Sequence, residues 1–468
     1  MDASGDLPGR PEKVFGGQNV SFASCVTVRS GAGYTFKDRY HHHELPPMTH
    51  HVFRYGGEFA DLVIQRAEGT YVYGPDGRPV LDFTSGQMSG ILGHSHPEIV
   101  ATVHHAIAEL DHVHSSFLSD PVLRLTEALT DILPDSLSKV LPLSTGGESN
   151  EAALRMAKMT TGGFEVVGFD RSWHGVTGGA AASTYSGARQ GYGPTLPGSL
   201  ALPTPDAYRS PFVTNGHYNW QEELDFGFQM LDRQSVGRYA AFIAEPILSS
   251  AGIIELPPGY LKALRNKCTE RDMLLILDEA QTGLGRTGDH FAFEHEGVVP
   301  DILTLSKTLG AGLPLSATIT SAEIEQQCHE QGYIFYTTHA ADPLPASVGA
   351  KVVEIIIRDA LSERARELGT YMKDQLLALQ KNHEVIGDVR GRGLLLGVEM
   401  VEDRETKIPA RKRGFDVSRR CLELGASLNV GRHSMANIFR IAPPLTVTRE
   451  QIDTAISILD QALIDCTG

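Results

Sequence analysis

Short apolar runs alternate with helical patterns through the middle of the chain. Between about Leu141 and Pro343, the segments EVVGFD, AAFIAEPI, MLLILDEA and DILTLSK are each apolar and each followed by small or polar residues. Continuous apolar runs of this length are typical of strands buried on both faces, and their alternation with helices favours a parallel sheet. The pattern therefore predicts an α/β protein.

The pattern changes on either side of this region. Residues 1–50 are rich in Gly, Ser, His and charge, and we interpret them as a partly irregular N-terminal extension. After about Ala346 we expect a long amphipathic helix, strand material in GDVRGRGLLLGVEM, and a last helix opened by a capping box from Thr448 to Gln451. The predicted divisions are a lead-in segment with part of a small domain over 51–110, a large domain over 111–345 and a small α+β domain over 346–468.

Two polar residues that could carry chemistry end apolar runs. Ligand sites of open α/β sheets gather at the carboxyl ends of the strands. Lys307 ends the strand-like DILTLS and precedes TLGAGLP, where burial would lower its pKa and favour a nucleophilic amine. Asp278 ends MLLIL, where its buried carboxylate requires a cationic partner such as a pyridinium nitrogen. Taken singly, such residues are more often a solvated lysine and an internal salt bridge.

Two further segments supply the other parts of a cofactor site. In STGGESNEAALRMAK, Gly146 and Gly147 precede a helix whose first N–H groups could bind a phosphate. Trp173 follows the strand-like EVVGF and could stack on a planar ring, although a lone tryptophan is more often part of the core. A phosphate site, a stacking ring, a buried acid and an activated lysine together are typical of a pyridoxal 5'-phosphate site.

The motifs GHSHP, STGGESNEAA, LDEAQTGLGRTG, PDILTLSKTLGAG and GDVRGRGLLLGVE resemble those of the class III aminotransferases, which are pyridoxal-phosphate enzymes of fold type I. The likeness runs from about Tyr55 to near the C-terminus. It implies a mostly parallel seven-stranded sheet in the large domain, beside a smaller α+β domain.

The same resemblance assigns roles around the cofactor. Lys307 would form a Schiff base with it, Asp278 would pair with its ring nitrogen and Trp173 would stack on its ring. Gln281 would approach the phenolic oxygen. The remaining cofactor-binding residues would be Gly146, Gly147, Ser250 and, from a second subunit, Thr338.

Within that family, FTSGQMS, SWHGVTG, FIAEPILSSAGIIELP, YTTHAADPLPA and FRIAPPLTV resemble the 2,2-dialkylglycine decarboxylases. The resemblance implies release of CO2 and a ketone from a substrate such as 2-aminoisobutyrate, followed by amino transfer to a keto acid such as pyruvate. Gln87 would direct the loss of the carboxylate, and Arg440 would bind the carboxylate of an ordinary amino or keto acid. An ordinary class III or ω-aminotransferase, and a catalytically silent binding homologue, are the alternatives.

The decarboxylase resemblance also implies a metal ion and a second subunit. A K⁺ or Na⁺ ion would be bound by the side chains of Ser115, Thr338 and Asp342 and by the backbone carbonyls of Val113 and Ala340. Because Thr338 would reach the phosphate of a neighbouring subunit, we expect a homodimer or a dimer of dimers. Val176 stands where the decarboxylase pattern has methionine, which would shorten the pocket wall and leaves the preferred substrate side chains open.

The charge, the apolar runs and the cysteines of the chain indicate its classes of partner and its location in the cell. The formal charge of −16 is spread over short clusters, which argues against a nucleic-acid partner. Apolar runs fall well short of the roughly 20 residues that span a bilayer. Five scattered cysteines without CxxC spacing, and an acidic start with Asp2 and Asp6, favour a reducing, cytoplasmic location. The run His41–His43 receives no role.

Overall fold

The computed structural model describes residues 51–467 apart from 57, 58, 61, 188, 190–192 and 431–436. The predicted extension over 1–50, with its histidine run, lies outside the described residues. The described residues from Leu62 onward form one compact unit. The division predicted near residue 345 falls inside the helix Pro343–Arg358, and the separation into large and small domains stays a prediction.

The strands are short and are distributed over several sheets. In chain order they are β1 (Arg66–Glu68), β2 (Tyr71–Tyr73), β3 (Pro79–Asp82), β4 (Lys139–Leu143), β5 (Glu165–Phe169), β6 (Ser199–Leu202), β7 (Val213–Thr214), β8 (His217–Tyr218), β9 (Tyr239–Ala244), β10 (Ile247–Leu248), β11 (Ile254–Glu255), β12 (Leu274–Asp278), β13 (Ile302–Leu305), β14 (Ser316–Thr320), β15 (Ile386–Arg392), β16 (Leu395–Met400), β17 (Ala426–Ser427), β18 (Asn429–Val430) and β19 (Ile438–Ile441).

Helices connect most of the strands. They are α1 (Ser85–Met88), α2 (Pro97–Glu109), α3 (Asp120–Thr130), α4 (Gly146–Thr161), α5 (Gly178–Ala182), α6 (Trp220–Gln234), α7 (Tyr260–Thr269), α8 (Ala322–Glu330), α9 (Pro343–Arg358), α10 (Leu361–Asn382), α11 (Arg411–Leu424) and α12 (Arg449–Thr467). Short 3-10 helices span Ala292–His295 and Lys307–Gly310. Within the part of the chain that is described, none of the helices combines the length and apolar character needed to cross a membrane.

The central sheet has the strand order β4-β14-β13-β12-β9-β5-β6. β12 runs parallel to β9 and β13, and β5 runs parallel to β6 and β9. β14 runs antiparallel to both of its neighbours in this sheet, β13 and β4. The mostly parallel seven-stranded sheet that the family resemblance implied is confirmed, and the four apolar runs that predicted a parallel sheet form β5, β9, β12 and β13.

Alternate residues of the central strands face two separate apolar clusters. In β12, Leu275 and Leu277 pack in the larger cluster, whereas Ile276 packs in a second cluster that includes Ala153 of α4 and Ile324 of α8. Burial on both faces explains why these strands are continuously apolar in sequence. Because β12 runs parallel between β9 and β13, the carboxyl ends of the three strands lie side by side. Glu245 follows β9, Asp278 is the last residue of β12, and Lys307 lies just beyond β13.

A second sheet, in the order β15-β16-β19-β18, lies in the C-terminal part. Two helices replace the single long helix that was predicted after Ala346, because Ala360 between α9 and α10 has a left-handed φ of 47°. The capping box of α12 is confirmed: the Gln451 N–H donates to Thr448 Oγ1 over 3.3 Å, and the Thr448 N–H donates to Gln451 Oε1 over 3.0 Å.

Candidate active site

Lys307 is separated from the end of β13 by Ser306 and begins a 3-10 helix. Its φ of 36° is unusual for a residue with a side chain, and strained backbone of this kind clusters at functional sites. Burial lowers the pKa of its amine, an effect that the charges of Asp278 and Glu245 oppose and that of Arg440 strengthens. A lowered pKa increases the fraction of neutral amine, which is the nucleophilic form.

Asp278 ends the neighbouring strand β12 and is only 5% exposed. Its Oδ2 accepts a hydrogen bond from Asn150 Nδ2 at 2.8 Å and lies 2.9 Å from His174 Nδ1. Burial alone would raise the pKa of this carboxyl, but the bond to His174 and the charges of His174 and Lys307 outweigh burial and leave the pKa lowered. The carboxylate therefore stays ionised and can face a pyridinium nitrogen.

The start of α4 offers backbone N–H groups to an anion. Thr145 caps the helix by accepting from the Glu148 N–H over 3.3 Å, and Glu148 accepts in return from the Thr145 N–H over 3.1 Å. The first N–H groups of a helix have no acceptor within it, so those of Gly146 and Gly147 can bind a phosphate. A Cβ on Gly146 would lie 2.7 Å from Ser306 Oγ, so the close approach of these two segments requires glycine there.

Lys307, Asp278 and the two glycines line one pocket of about 360 Å³. Trp173 lines it as well, and its backbone N–H donates to Glu245 Oε1 over 3.0 Å. The volume of the pocket lies within the range of about 300–1,000 Å³ that is typical of small-molecule sites. Further lining residues are Ser89, Ser144, Thr145, Asn150, His174, Gly175, Ala280, Ser306 and Gly312–Leu315. Val176 is 78% exposed and does not line the pocket of its own chain, so the predicted shortening of the wall is not seen there.

Gln281 and Ser250 do not line this pocket. The Oε1 atom of the buried Gln281 accepts a hydrogen bond of 2.6 Å from Ser249 Oγ, which leaves the amide nitrogen as the donating end. Ser250 is half-buried, and the orienting serine is its neighbour Ser249, which sequence reasoning missed. Both serines stand in the motif LSS, and only the burial of Ser249 distinguishes them.

Gln87 lies in α1, which is a single turn of left-handed backbone. The φ angles are 42° at Ser85, 59° at Gly86, 60° at Gln87 and 70° at Met88. A left-handed conformation costs roughly 1–2 kcal/mol for each residue that has a Cβ. Asp82 supports the turn by accepting a hydrogen bond of 2.9 Å from the Gly86 N–H. The side chain of Gln87 is exposed and does not line the pocket.

Ser89 connects this turn to the reactive lysine. Its Oγ donates a hydrogen bond of 3.0 Å to the backbone carbonyl of Lys307, and Ser89 itself lines the pocket. The turn that carries Gln87 therefore lies against the segment that carries Lys307.

Arg440 lies in β19, opposite Gly397 of β16. Burial lowers the pKa of its guanidinium, and the charge of Glu245 opposes that effect. Glu245 itself is buried after β9, and burial raises its pKa to about 7. Sequence reasoning assigned Glu245 no role, although it follows an apolar run just as Asp278 does.

The structure brings two segments of the predicted metal site together. His112 Nδ1 lies 2.5 Å from Asp342 Oδ1, and His339 Nδ1 lies 2.5 Å from Asp342 Oδ2. These contacts bring the segment of Ser115 beside that of Asp342, but both carboxylate oxygens already face imidazoles. The three side chains form a group that could hold a metal ion. Thr338 is exposed and does not line the pocket of its own chain.

Comparison with known proteins decides the family. Residues 54–463 match the family described as Aminotransferase class-III. The chain is a class III aminotransferase.

Relatives of this aminotransferase span most of its length. An uncharacterized aminotransferase of Schizosaccharomyces pombe is 55% identical, covering 88% of this chain and 92% of the relative. Human mitochondrial alanine–glyoxylate aminotransferase 2 is 31% identical over 86% and 82%. A leucine/methionine racemase of Thermococcus litoralis is 33% identical over 87% and 91%. A crystal structure of a Bacillus anthracis aminotransferase superposes with a TM-score of 0.83 at 29% identity, over 88% and 96% of the two chains.

The pocket of this class III aminotransferase fits pyridoxal phosphate. His174 Nε2 is buried and lacks a hydrogen-bond partner among the described residues, so the only polar contact of that ring is with Asp278 through Nδ1. An imidazole held in this way fixes the carboxylate for a cationic ring nitrogen. Lys307 would hold the aldehyde carbon, and the N–H groups of Gly146 and Gly147 would hold the phosphate.

Proposed function

We propose that this class III aminotransferase couples the decarboxylation of a 2,2-dialkylglycine, such as 2-aminoisobutyrate, to amino transfer onto a keto acid such as pyruvate. The observation that carries the proposal is the strained left-handed turn that holds Gln87 next to the segment of Lys307. Strain of this kind persists only where the surrounding structure imposes it, and its position beside the reactive lysine supports a role in the reaction.

The chain's own groups perform the following tasks. Pyridoxal phosphate, when bound, supplies the electron sink for the pair released at the substrate Cα. Asp278 keeps the ring nitrogen protonated, because its lowered pKa keeps the carboxylate charged. The amine of Lys307 delivers and removes the proton at the reacting carbon. Arg440 binds the carboxylate of the keto acid by a bidentate pair.

Gln87 decides which bond at Cα is broken in this proposal. With the cofactor bound, the bond at Cα that is aligned with its π system would be weakened, so groups that orient the substrate would select the reaction. The amide of Gln87 can hydrogen-bond a carboxylate in that orientation. Because the amide has no charge, it does not stabilise the reactant carboxylate as strongly as a guanidinium would.

Ordinary amino transfer without decarboxylation is the alternative function. It is supported by the exposed side chain of Gln87 and by relatives whose names describe aminotransferases. A catalytically silent homologue is a weaker alternative, because Lys307 and Asp278 are both present in one pocket.

We also propose that two chains of this aminotransferase assemble, that an alkali-metal ion binds, and that the protein is cytoplasmic. Two chains would pair so that Thr338 of one reaches the phosphate site of the other, a role that its exposure supports. A K⁺ or Na⁺ ion would bind at Ser115 and Asp342, where it would have to displace His112 and His339 from the carboxylate. The scattered cysteines support a cytoplasmic location.

The test supplies cofactor-loaded enzyme with 2-aminoisobutyrate and pyruvate and measures CO2, acetone and alanine. All three should form in equal amounts. Amino transfer from L-alanine without any CO2 from 2-aminoisobutyrate would establish the ordinary aminotransferase instead. A cofactor absorbance that no amino acid changes would favour the silent homologue.

A further inference from the structure

Arg286, in the motif LGRTG, is fully buried. Its Nη1 donates to the backbone carbonyls of Pro443 and, over 3.3 Å, of Leu394. Its Nη2 donates to Ser85 Oγ over 3.4 Å. Among the described residues no carboxylate forms an ion pair with this guanidinium, and burial lowers its pKa to about 9. A buried charge without a counter-ion is costly, so its retention calls for a reason.

Two of the three oxygens that Arg286 binds, those of Ser85 and Pro443, belong to segments that carry the proposed substrate residues. Ser85 begins the left-handed turn of Gln87, and its Oγ also donates to the Ala442 carbonyl over 2.8 Å. Ala442 and Pro443 directly follow β19, the strand of Arg440. Arg286 therefore links the turn of Gln87 to the end of the strand of Arg440.

A second set of backbone bonds joins the same two segments. The Ala442 N–H donates to the Phe83 carbonyl over 2.8 Å, and the Leu445 N–H donates to the Ile91 carbonyl over 2.8 Å. These bonds lie on either side of the strained turn, and inside it the Oγ of Ser85 is bonded directly to the Ala442 carbonyl. The bond from Arg286 to Ser85 acts within the turn itself, where the backbone is strained.

We propose that Arg286 is a positioning residue that fixes the turn of Gln87 relative to the strand of Arg440 and so governs which bond of the substrate is broken, without touching the substrate. This inference rests on the proposed function. A guanidinium suits the task because its several N–H groups diverge in one plane and reach oxygens on separate segments. A lysine ammonium has a single nitrogen and cannot reach all of them, and unpaired buried carbonyls are costly.

The variant Arg286→Lys tests the inference in the cofactor-loaded enzyme. Arg404→Lys is the matched control, because Arg404 also donates to backbone carbonyls, those of Gln380 and Ile386, and does not line the pocket. The readout is kcat/KM for CO2 release from 2-aminoisobutyrate divided by kcat/KM for amino transfer from L-alanine. We expect Arg286→Lys to lower this ratio about tenfold while the absorbance of the bound cofactor is unchanged, and Arg404→Lys to leave it constant. Equal losses in both reactions, or an unchanged ratio, would overturn the inference.

Hydrogen exchange provides a readout that does not depend on decarboxylation. The Met88 N–H donates to Thr84 and the Gly90 N–H donates to Ser85, both inside the turn. Their exchange should be faster in Arg286→Lys than in the parent and unchanged in Arg404→Lys. If the parent releases no CO2, the proposed function fails, yet unchanged exchange would still refute the link through Arg286. Should Arg286→Lys not fold, Ser85→Ala removes the acceptor of Arg286 Nη2 together with the bond from Ser85 to Ala442, and an unchanged ratio with unchanged exchange in that variant would overturn the inference.

Discussion

The pocket, which forms the cofactor side, and the adjacent turn of Gln87, which forms the proposed substrate side, are built in different ways. On the cofactor side, Asp278 ends β12 and Lys307 closely follows the adjacent strand β13, and one hydrogen bond from Asn150 and contact with His174 fix the carboxylate. On the substrate side, Gln87 lies in a strained turn that depends on contacts with segments far away in the chain. The difference suggests that cofactor binding is robust, whereas the choice of reaction is sensitive to small displacements.

Removal of Lys307 should have the largest effect, because it should nearly abolish the reactions that depend on the cofactor. Lys307→Ala eliminates both the attachment point and the proton-transferring amine, so we expect kcat for amino transfer to fall by about 10⁴-fold. Single-turnover kinetics with L-alanine would measure the loss. Lys351→Ala, which removes a half-buried lysine paired with Glu354, should retain parental activity. Substantial turnover by Lys307→Ala would contradict the assignment.

Asp278→Asn should have the next largest effect. The substitution keeps the shape but removes the charge that faces the ring nitrogen, and charged hydrogen bonds of about 1.5–3 kcal/mol correspond to about 10- to 100-fold in rate. Both CO2 release and amino transfer should fall together, because both need the electron sink. Asp301→Asn is the control: this carboxylate binds Arg265 at the opposite end of β13 and should affect stability without changing the cofactor spectrum. A selective loss of only one reaction would refute the role of Asp278.

Substitutions of Gln87 should separate the choice of reaction from cofactor binding, because they should affect CO2 release more than amino transfer. Gln87→Ala and Gln87→Gly both remove the amide, so each should lower CO2 release from 2-aminoisobutyrate about tenfold more than amino transfer from L-alanine. Glycine also relieves the left-handed strain, so Gln87→Gly should be more stable than Gln87→Ala by about 1 kcal/mol. Thermal unfolding and the two rate assays provide the measurements. If both variants lose the two reactions equally, Gln87 does not select the bond.

Substitution of Glu245 should have the smallest effect, which is a pH-dependent change in the stability of the folded protein. Because its pKa rises from 4.5 to about 7 in the folded protein, the folded state binds more protons than the unfolded state between these values. Its contribution to stability therefore falls as the pH rises from about 4.5 to 7 and is constant above that window. Glu245→Gln lacks this titration, so it should gain stability relative to the parent across the window. Urea unfolding at several pH values would show it, and a difference that is the same at every pH would exclude this titration.

Sequence could predict the cofactor side because its signals are local. Lys307 and Asp278 each follow an apolar run, and Gly146 and Gly147 precede a helix, so strand-end and helix-start rules find them. The left-handed φ at Gln87, the link from Arg286 to Ser85 and the pairing of His112 with Asp342 arise from contacts between distant segments. Such contacts produce no periodic pattern in the sequence from which they could be predicted. The break at Ala360, where an alanine adopts a left-handed φ, was missed because alanine normally favours helix.

The antiparallel strand β14 has a consequence for the order of folding. Its pairing with β4 joins Ser316 to Leu143, and Ser316 Oγ also donates to the Thr145 carbonyl over 2.8 Å. Lys307 and the glycines of α4 therefore become neighbours only after the long intervening stretch of chain has closed into the sheet. Because such distant contacts form slowly, the pocket should be completed late. During refolding, the absorbance of bound cofactor should consequently return after the circular dichroism of the helices.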